Sequence, residues 1–254
     1  MKIGIIIVGT NAYFALALRF IKRFMHFYKG KAEIVFHLFT DTDPRPYLPD
    51  SINVIYHYTT HSNWVDATNS KFTNIISLEE SYNDEDFKFY FDSDTNIDKE
   101  FTEDWFLGEL VGGQHYGDQS WMKERKSFDR NPLSKAYVPE NTPLPQMYYY
   151  GAFFGGSKSN IFEFCKTLVF YQKEDKKISY EPGVNDESYI NAYFHYNPPT
   201  YTVPTEKFEF LISDKGGFEE IVRISDVDIS SIKKELLENK DKLFNLVHKK
   251  IVYE

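Results

Sequence analysis

What the 254-residue chain has least of is cysteine: Cys165 stands alone. A single thiol cannot close an internal disulfide, and it excludes a zinc site built on several cysteines. Its apolar, helix-like surroundings predict a buried and inert thiol. Basic charge is also in short supply. Twenty-nine Lys and Arg face 38 Asp and Glu, a formal net charge of −9. Such a chain is a poor partner for nucleic acid, and an anionic ligand would need a local source of positive charge. No apolar run approaches the ~18 residues of a membrane span. The opening MKIGIIIVGT has one early Lys, a short apolar run and no small-residue cleavage site, so no signal peptide is expected. These absences together predict a soluble, cytoplasmic protein. There is no internal repeat and no low-complexity tract.

Tryptophan is rare, with three residues, but Phe and Tyr are abundant at 23 and 19. That much apolar surface can build a substantial core. The flat faces of aromatics also suit sugar and base sites, but core packing is the commoner use.

The apolar pattern predicts an α/β layered domain. Lys2 to Thr10 is a β-branched run closing on Gly9, the mark of a buried parallel strand. In the segment that follows, Phe14, Ala17, Leu18, Ile21, Phe24, Met25 and Tyr28 share one helical face. Ala32 to Thr40 and Ile52 to Tyr58 read as strands, Asp66 to about Leu78 as a helix, and Phe87 to Phe91 as a fourth strand. The order β-α-β-β-α-β follows. Farther on, Met147 to Gly156 reads as a strand, Ser159 to about Lys173 as an amphipathic helix, and Asn185 to Phe194 as a helix with Glu187 and Ser188 in its first turn. The polar, Pro-containing stretch from Arg125 to Pro145 predicts a mobile loop. The C-terminal segment predicts a charged helical tail.

Open α/β sheets bind ligands beyond the carboxyl ends of their strands. Gly9-Thr10 and Asp92-Ser93-Asp94 both fall at such ends. Strand alternation would put the two aspartates on one side, where they can share a hard cation through oxygen. Without a cation the pair would oppose a phosphate: two like charges about 4 Å apart repel by roughly 4 kcal/mol at an effective dielectric near 20. A divalent metal reverses that sign. A solvated strand-to-loop turn is the bland alternative. DSDTN is also similar to the D-x-D-x-T signature of haloacid-dehalogenase-type phosphatases. That family carries the motif on its first strand, whereas three strands precede it here and the Thr comes one position early.

In this order, HLFTDTDP, HSNWVD, DSD, YYYGAFFGG and NDESYINAYF resemble glycosyltransferase family 6, over about Lys2 to Pro204. That family comprises retaining α-1,3 transferases, including the ABO blood-group enzymes. Its mammalian members carry an anchor and stem ahead of this core; bacterial and phage-type members begin at the core, as this chain does. The resemblance implies a GT-A fold: one Rossmann-like nucleotide-binding domain over 1–254, with a mixed central sheet flanked by helices. Residues 1–95 would form the UDP-binding half, 96–210 the donor-sugar and acceptor half, and 211–254 the tail. Lys233, Lys234, Lys249 and Lys250 of the tail could fold over the diphosphate, or lie on a solvated helix.

Carried over by position, Asp92 and Asp94 match the family's metal-binding D-x-D, which implies Mn²⁺ or Mg²⁺. Val8, Gly9, Thr10 and Tyr13 match the uridine-contacting segment, with Trp64 and Ser93 also on the nucleotide. Lys71 stands where the family has an Arg reaching the donor, so the cation is kept and the bidentate fork lost. Tyr150, Gly151 and Ala152 match the segment that sorts galactose from N-acetylgalactosamine; Ala152 implies galactose, with glucose left open. His115 matches an acceptor position. Asp186 matches a donor-sugar contact and Glu187 the catalytic carboxylate. The family's preceding Trp is Val184 here, which implies a different acceptor. The implied partners are a UDP-sugar donor and an oligosaccharide or glycan acceptor. For Asp186 and Glu187 the bland alternative is a favourable helix N-terminus. For Tyr148 and Tyr149 it is strand packing, for Lys71 a solvated helix face, and for His115 a structural histidine. A non-catalytic sugar- or nucleotide-binding module on the same scaffold is the rival in function.

Overall fold

The computed structural model describes residues 1–11, 13–82, 84–97, 99–115, 128–141, 147–204 and 207. The elements are β1 (Lys2–Val8), α1 (Tyr13–Phe27), β2 (Glu33–Thr40), β3 (Val54–Tyr58), α2 (Trp64–Ile76), β4 (Phe87–Phe91), β5 (Leu110–Gln114), β6 (Tyr149–Ser157), α3 (Lys158–Lys177), α4 (Asn185–Tyr196) and β7 (Tyr201–Val203). The strands form one mixed sheet in the order β3-β2-β1-β4-β6-β5-β7, so the α/β class holds. The described chain groups into two compact units. The first holds residues 1–61 and 90–103, the second 62–89 and 104–207. The charged tail predicted over 211–254 lies outside the described residues.

In the first unit β1 pairs in parallel with β2, Lys2 opposite Glu33 through Val8 opposite Phe39, and β2 pairs in parallel with β3. β1 is buried from Ile3 to Val8. Its unbroken β-branched run fits a strand with no solvent face. α1 lays Phe14, Ala17, Leu18, Phe20, Ile21 and Phe24 inward. Phe24 meets Phe101 at 4.9 Å and Phe36 at 5.4 Å between ring centres, both edge-on, the favoured geometry for ring quadrupoles. Gly9 is needed at the β1 to α1 turn. A Cβ there would sit 2.8 Å from Ala17 Cβ and 3.0 Å from the Tyr13 carbonyl oxygen, so the bare backbone is what lets helix and strand approach.

The second unit packs α2, α3 and α4 with β5, β6 and β7. β5 runs antiparallel to β6 and parallel to β7. Phe72, Phe154, Phe164 and Phe194 share ring contacts in its core. Every one of the largest fully buried side chains in the described chain is a Phe except Lys88, so core packing absorbs much of the aromatic excess. Inside, burial pulls the Lys88 ammonium below its usual range, and Glu85, which pairs with it, opposes that; Lys88 also donates to the Tyr82 carbonyl at 3.0 Å. Cys165 is free and fully buried, and burial pushes its thiol well above the usual range, as an inert thiol requires.

Two expectations are corrected. Within the stretch expected to be a mobile loop, residues 128–141 are tied down. Asp175, 1% exposed in α3, accepts from the Ser134 hydroxyl at 2.6 Å and from the Lys135 N–H at 2.7 Å. Tyr180 donates to Asp129 at 2.7 Å. A buried carboxylate needs such donors, and the polar sequence of the loop supplies them. The second correction concerns the two aspartates. β4 ends at Phe91, and Asp92 to Thr95 form a turn closed by the Thr95 N–H on the Asp92 carbonyl at 3.0 Å. Strand alternation therefore does not orient the pair; the turn does.

Candidate functional site

The sequence-derived residues fall into two sets, one in each unit. In the first unit Val8 ends β1, Gly9 and Thr10 follow it, and Tyr13 opens α1. Asp92, Ser93 and Asp94 sit in the turn after β4. Asp94 is 8% exposed and Ser93 4%. Tyr90 donates to Asp92 at 2.7 Å. α1 holds the next residues in place: Arg19 donates to Asn96 Oδ1 at 3.1 Å and Arg23 to the Ile97 carbonyl at 2.8 Å. The Tyr13 phenol is pushed up by burial and then by the negative charges of Asp94 and Asp92, so the strand-end and turn residues share one electrostatic neighbourhood. Two residues with no role assigned from the sequence join this set. His61 Nδ1 lies 3.1 Å from the Thr10 hydroxyl, and Asp41 accepts from the Asn11 N–H at 3.3 Å. Both lie in segments that carry the family resemblance, HSNWVD and HLFTDTDP.

The donor chemistry of Asp92 and Asp94 fits a hard divalent cation: oxygen ligands only, on a short and tethered turn. No group of three or more metal-ligating side chains occurs among the described residues. Mg²⁺ and Mn²⁺ tolerate that, because one or two carboxylates with water and phosphate oxygens complete their shell.

In the second unit, Glu187 extends from the first turn of α4 to the Gly151 N–H on β6, which donates to Oε2 at 2.7 Å. Beside it the Lys71 ammonium, from α2, lies 2.8 Å from Asp186 Oδ2 and donates to the Gly151 carbonyl at 3.1 Å. Lys71 is 3% exposed and Asp186 4%. The solvated-face reading of Lys71 is thereby overturned: a charge this deep needs its partner. Desolvation pushes the Glu187 carboxyl up to about 7, and the Asp186 charge adds to the rise; the Gly151 N–H, Tyr148 hydroxyl and Lys71 charge oppose it. The Tyr148 phenol is pushed well above its usual range by burial and then by Glu187. Tyr148 is thus part of the carboxylate's surroundings, beyond its packing.

His115 follows β5 and is 2% exposed. Its N–H donates to the Tyr148 carbonyl at 2.9 Å, and its ring lies 4.0 Å from that of Tyr150. Ala152 is half-buried on β6, and Trp64 is the first residue of α2. The structure therefore gathers His115, Tyr150, Gly151, Lys71, Asp186 and Glu187 within one unit. A separate cleft of about 620 Å³, lined by Asp66, Asn69, Gln172, Lys176, Tyr180 and Asn185 among others, includes none of the sequence-derived candidates. Asn191 carries no sequence-derived role, although it lies in the DES-x-x-N segment. It is 1% exposed and bonds the Tyr149 N–H, the Tyr149 carbonyl and the Glu187 carbonyl.

Residues 1–238 match the family model described as glycosyltransferase family 6. The chain is 27% identical over 219 residues to the globoside alpha-1,3-N-acetylgalactosaminyltransferase 1 of Gallus gallus, covering 81% of this chain and 61% of that protein. It is 25% identical over 212 residues to the histo-blood group ABO system transferase 1 of Rattus norvegicus, covering 80% and 60%. It is 25% identical over 165 residues to the O-antigen biosynthesis glycosyltransferase WbnI of Escherichia coli, covering 65% and 69%. The chain thus spans about 60% of the length of the first two of these curated relatives. Among the described residues no helix is long and apolar enough to cross a membrane. A match over nearly the whole chain sets aside the phosphatase alternative for DSDTN, and on it the chain belongs to glycosyltransferase family 6.

Proposed function

We propose that this chain is a retaining hexosyltransferase that moves galactose from UDP-galactose to a glycan acceptor in α-1,3 linkage. The observation that carries the reading is the Glu187 carboxylate, held on the Gly151 N–H beside the buried Lys71–Asp186 pair. The Glu187, Asp186 and Gly151 positions are those the family uses for catalysis and for holding the donor sugar. Two relatives support the sugar class and linkage by their names, which describe α-1,3 transfer of N-acetylgalactosamine. Galactose is favoured by Ala152, because in the family resemblance Gly at this position goes with N-acetylgalactosamine and Ala with galactose.

Retention at the anomeric carbon needs a carboxylate on the face opposite the leaving UDP. Glu187 supplies it, as a nucleophile or as the charge that stabilises an oxocarbenium-like centre. As a nucleophile, Glu187 bonds the anomeric carbon as the bond to the UDP oxygen breaks, and the acceptor oxygen then displaces Glu187. As a stabilising charge, it leaves the acceptor oxygen to replace the UDP oxygen directly. In either case the acceptor hydroxyl proton passes to the departing diphosphate. Lys71 fixes Asp186, and the two orient the hexose. His115 takes the acceptor, and Tyr150, tilted against it at 4.0 Å between ring centres, lies with Gly151 and Ala152 on the donor sugar. Val8, Gly9, Thr10, Tyr13, Trp64 and Ser93 take the nucleotide. Asp92 and Asp94 would hold Mn²⁺ or Mg²⁺, which when bound neutralises charge on the departing diphosphate.

A UDP-sugar hydrolysis screen with Mn²⁺ tests the reading without knowledge of the acceptor. UDP release is expected from UDP-galactose, and less from UDP-N-acetylgalactosamine. No release from any UDP-sugar would leave the non-catalytic binding module as the better account.

A further inference from the structure

We infer that Asn191 is a positioning residue that sets where the Glu187 carboxylate stands; the inference rests on the proposed role of Glu187 for its bearing on catalysis. The backbone N–H and C=O of Tyr149 both need partners, as buried peptide groups do. A single carboxamide provides both. Asn191 Oδ1 accepts from the Tyr149 N–H at 2.8 Å, and Nδ2 donates to the Tyr149 carbonyl at 2.9 Å. The side chain takes the part of a neighbouring peptide, so α4 is docked to β6 as a strand would be. The same Nδ2 donates to the Glu187 carbonyl, one helical turn back, at 2.8 Å. From Tyr149 the strand runs two residues to Gly151, whose N–H holds the Glu187 carboxylate. The hydrogen bonds therefore close a ring: Tyr149, Asn191, the Glu187 backbone, the Glu187 carboxylate, Gly151. Asn191 joins helix to strand at one side of the ring, and the Glu187 carboxylate on the Gly151 N–H closes it at the other.

The geometry requires an amide. Asp would keep an acceptor for the Tyr149 N–H, but it lacks both donors and sets a carboxylate against two carbonyl oxygens. Ser is too short to span the gap. Once the helix is free to shift, the Glu187 carboxylate can move toward water, away from Asp186, Lys71 and Tyr148, the groups that face it. A carboxylate that regains water loses the upward push of desolvation.

The test uses Asn191→Asp and Asn191→Ser in the full chain, with ¹³C-carboxyl NMR titration of Glu187 in the free protein, its signal assigned by loss in Glu187→Gln. In Asn191→Ser the Glu187 titration is expected to fall from about 7 toward the ordinary glutamate range; in Asn191→Asp the added carboxylate opposes that fall, and the kinetics decide. UDP-galactose hydrolysis should show kcat lowered by about 10- to 100-fold with KM little changed, as expected of a misplaced group. A folded variant with an unmoved titration and full kcat would overturn the inference. If neither variant folds, amide exchange of the wild-type protein decides: the Tyr149 N–H should exchange as slowly as the Phe153 and Phe154 amides of the same strand, and fast exchange would overturn the clamp. If the titration moves but the wild-type protein cleaves no UDP-sugar, the clamp stands and the proposed activity falls.

Discussion

Glu187 reaches from α4 to β6 and accepts the Gly151 N–H at 2.7 Å, while its immediate neighbour Asp186 pairs with Lys71 at 2.8 Å. Two adjacent carboxyls are thus given different environments. Asp186 is neutralised by an ammonium; Glu187 has one backbone donor and a desolvated site that pushes it up to about 7. Divergence of this kind separates the roles of paired acids. If the ionised form of Glu187 does the chemistry, kcat/KM for UDP-sugar cleavage should rise with pH to a plateau above about 7, the value for the free protein. Below that, it should fall about tenfold per pH unit. A pH profile of kcat/KM for the donor checks this. A flat profile down to about pH 5 would mean that the titrating group is not needed.

Glu187→Gln keeps the shape and an acceptor for the Gly151 N–H but removes the charge. It should lower kcat by about 10²- to 10⁴-fold with UDP binding retained. Its stability should move the other way. In the unfolded chain Glu187 releases its proton near the ordinary glutamate value; folded, it keeps the proton up to about 7. Between those values the folded state holds the extra proton, so the wild-type protein loses stability as pH rises through that window and does not regain it above. The glutamine variant should therefore melt higher than wild type at about pH 8, with the gap closing near about pH 4. Thermal melts at the two pH values measure it.

The residue pattern exposed the parallel strands and the amphipathic helices because their apolar periods are long. β5 and β7 leave no local signature in the sequence, for a physical reason. LVGGQ carries two glycines and no alternation, and its strand character comes from pairing with β6. YTV is three residues on the far side of β5. The candidate carboxylates were legible through the D-x-D and DES segments, but their geometry was not. Asp92 and Asp94 read as strand-end residues because FKFYF runs straight into them; only the Thr95 hydrogen bond shows the turn. Lys71 is polar in sequence and buried in the fold. Its burial depends on Asp186, 115 positions away, and no local pattern records such a pairing. Asn191 was visible as a letter at four residues past Glu187, but its use as a surrogate peptide requires β6 beside it.

Lys71 and Asp186 should behave as one unit. Lys71→Met leaves a buried carboxylate without its cation and should destabilise the protein by about 3–5 kcal/mol. The double variant Lys71→Met/Asp186→Leu removes both charges and should recover much of that loss, because apolar replacements of a buried pair are often neutral. Neither variant should regain UDP-sugar cleavage if the pair orients the hexose. Urea unfolding with parallel kinetics separates the two effects. Recovered activity in the double variant would reduce the pair to packing.

The turn after β4 makes a prediction about metal. Asp94 is 8% exposed on a segment that α1 holds through Arg19 and Arg23. If Asp92 and Asp94 together hold Mn²⁺ against the diphosphate, UDP should bind wild type more tightly with Mn²⁺ than with EDTA. Asp94→Asn should then bind UDP with the affinity wild type shows in EDTA. Calorimetric titrations under the two conditions read this directly, and equal wild-type affinities would remove the metal from nucleotide binding.

Gly151, in the segment proposed to sort the donor sugar, has close surroundings. A Cβ added there would lie 2.9 Å from Asp186 Oδ2, 3.3 Å from Glu187 Cβ and 3.4 Å from Glu187 Oε2. The first contact is closer than carbon and oxygen tolerate, and Asp186 cannot simply rotate away, because Lys71 holds it at 2.8 Å. The methyl of Gly151→Ala must therefore displace the carboxyls, the strand or both. The backbone N–H of residue 151 survives the substitution, so loss of a donor is not the cause of any defect; displacement is. A shift on the order of 1 Å at a reacting group costs roughly 100-fold in rate. Gly151→Ala should accordingly lower kcat by about that factor, leave UDP affinity unchanged, and melt only slightly below wild type. Ala152→Gly, at the next position, relieves rather than adds bulk and serves as the control, retaining kcat with UDP-galactose. Full turnover in Gly151→Ala would mean that neither carboxyl is held where the transferred hexose needs it.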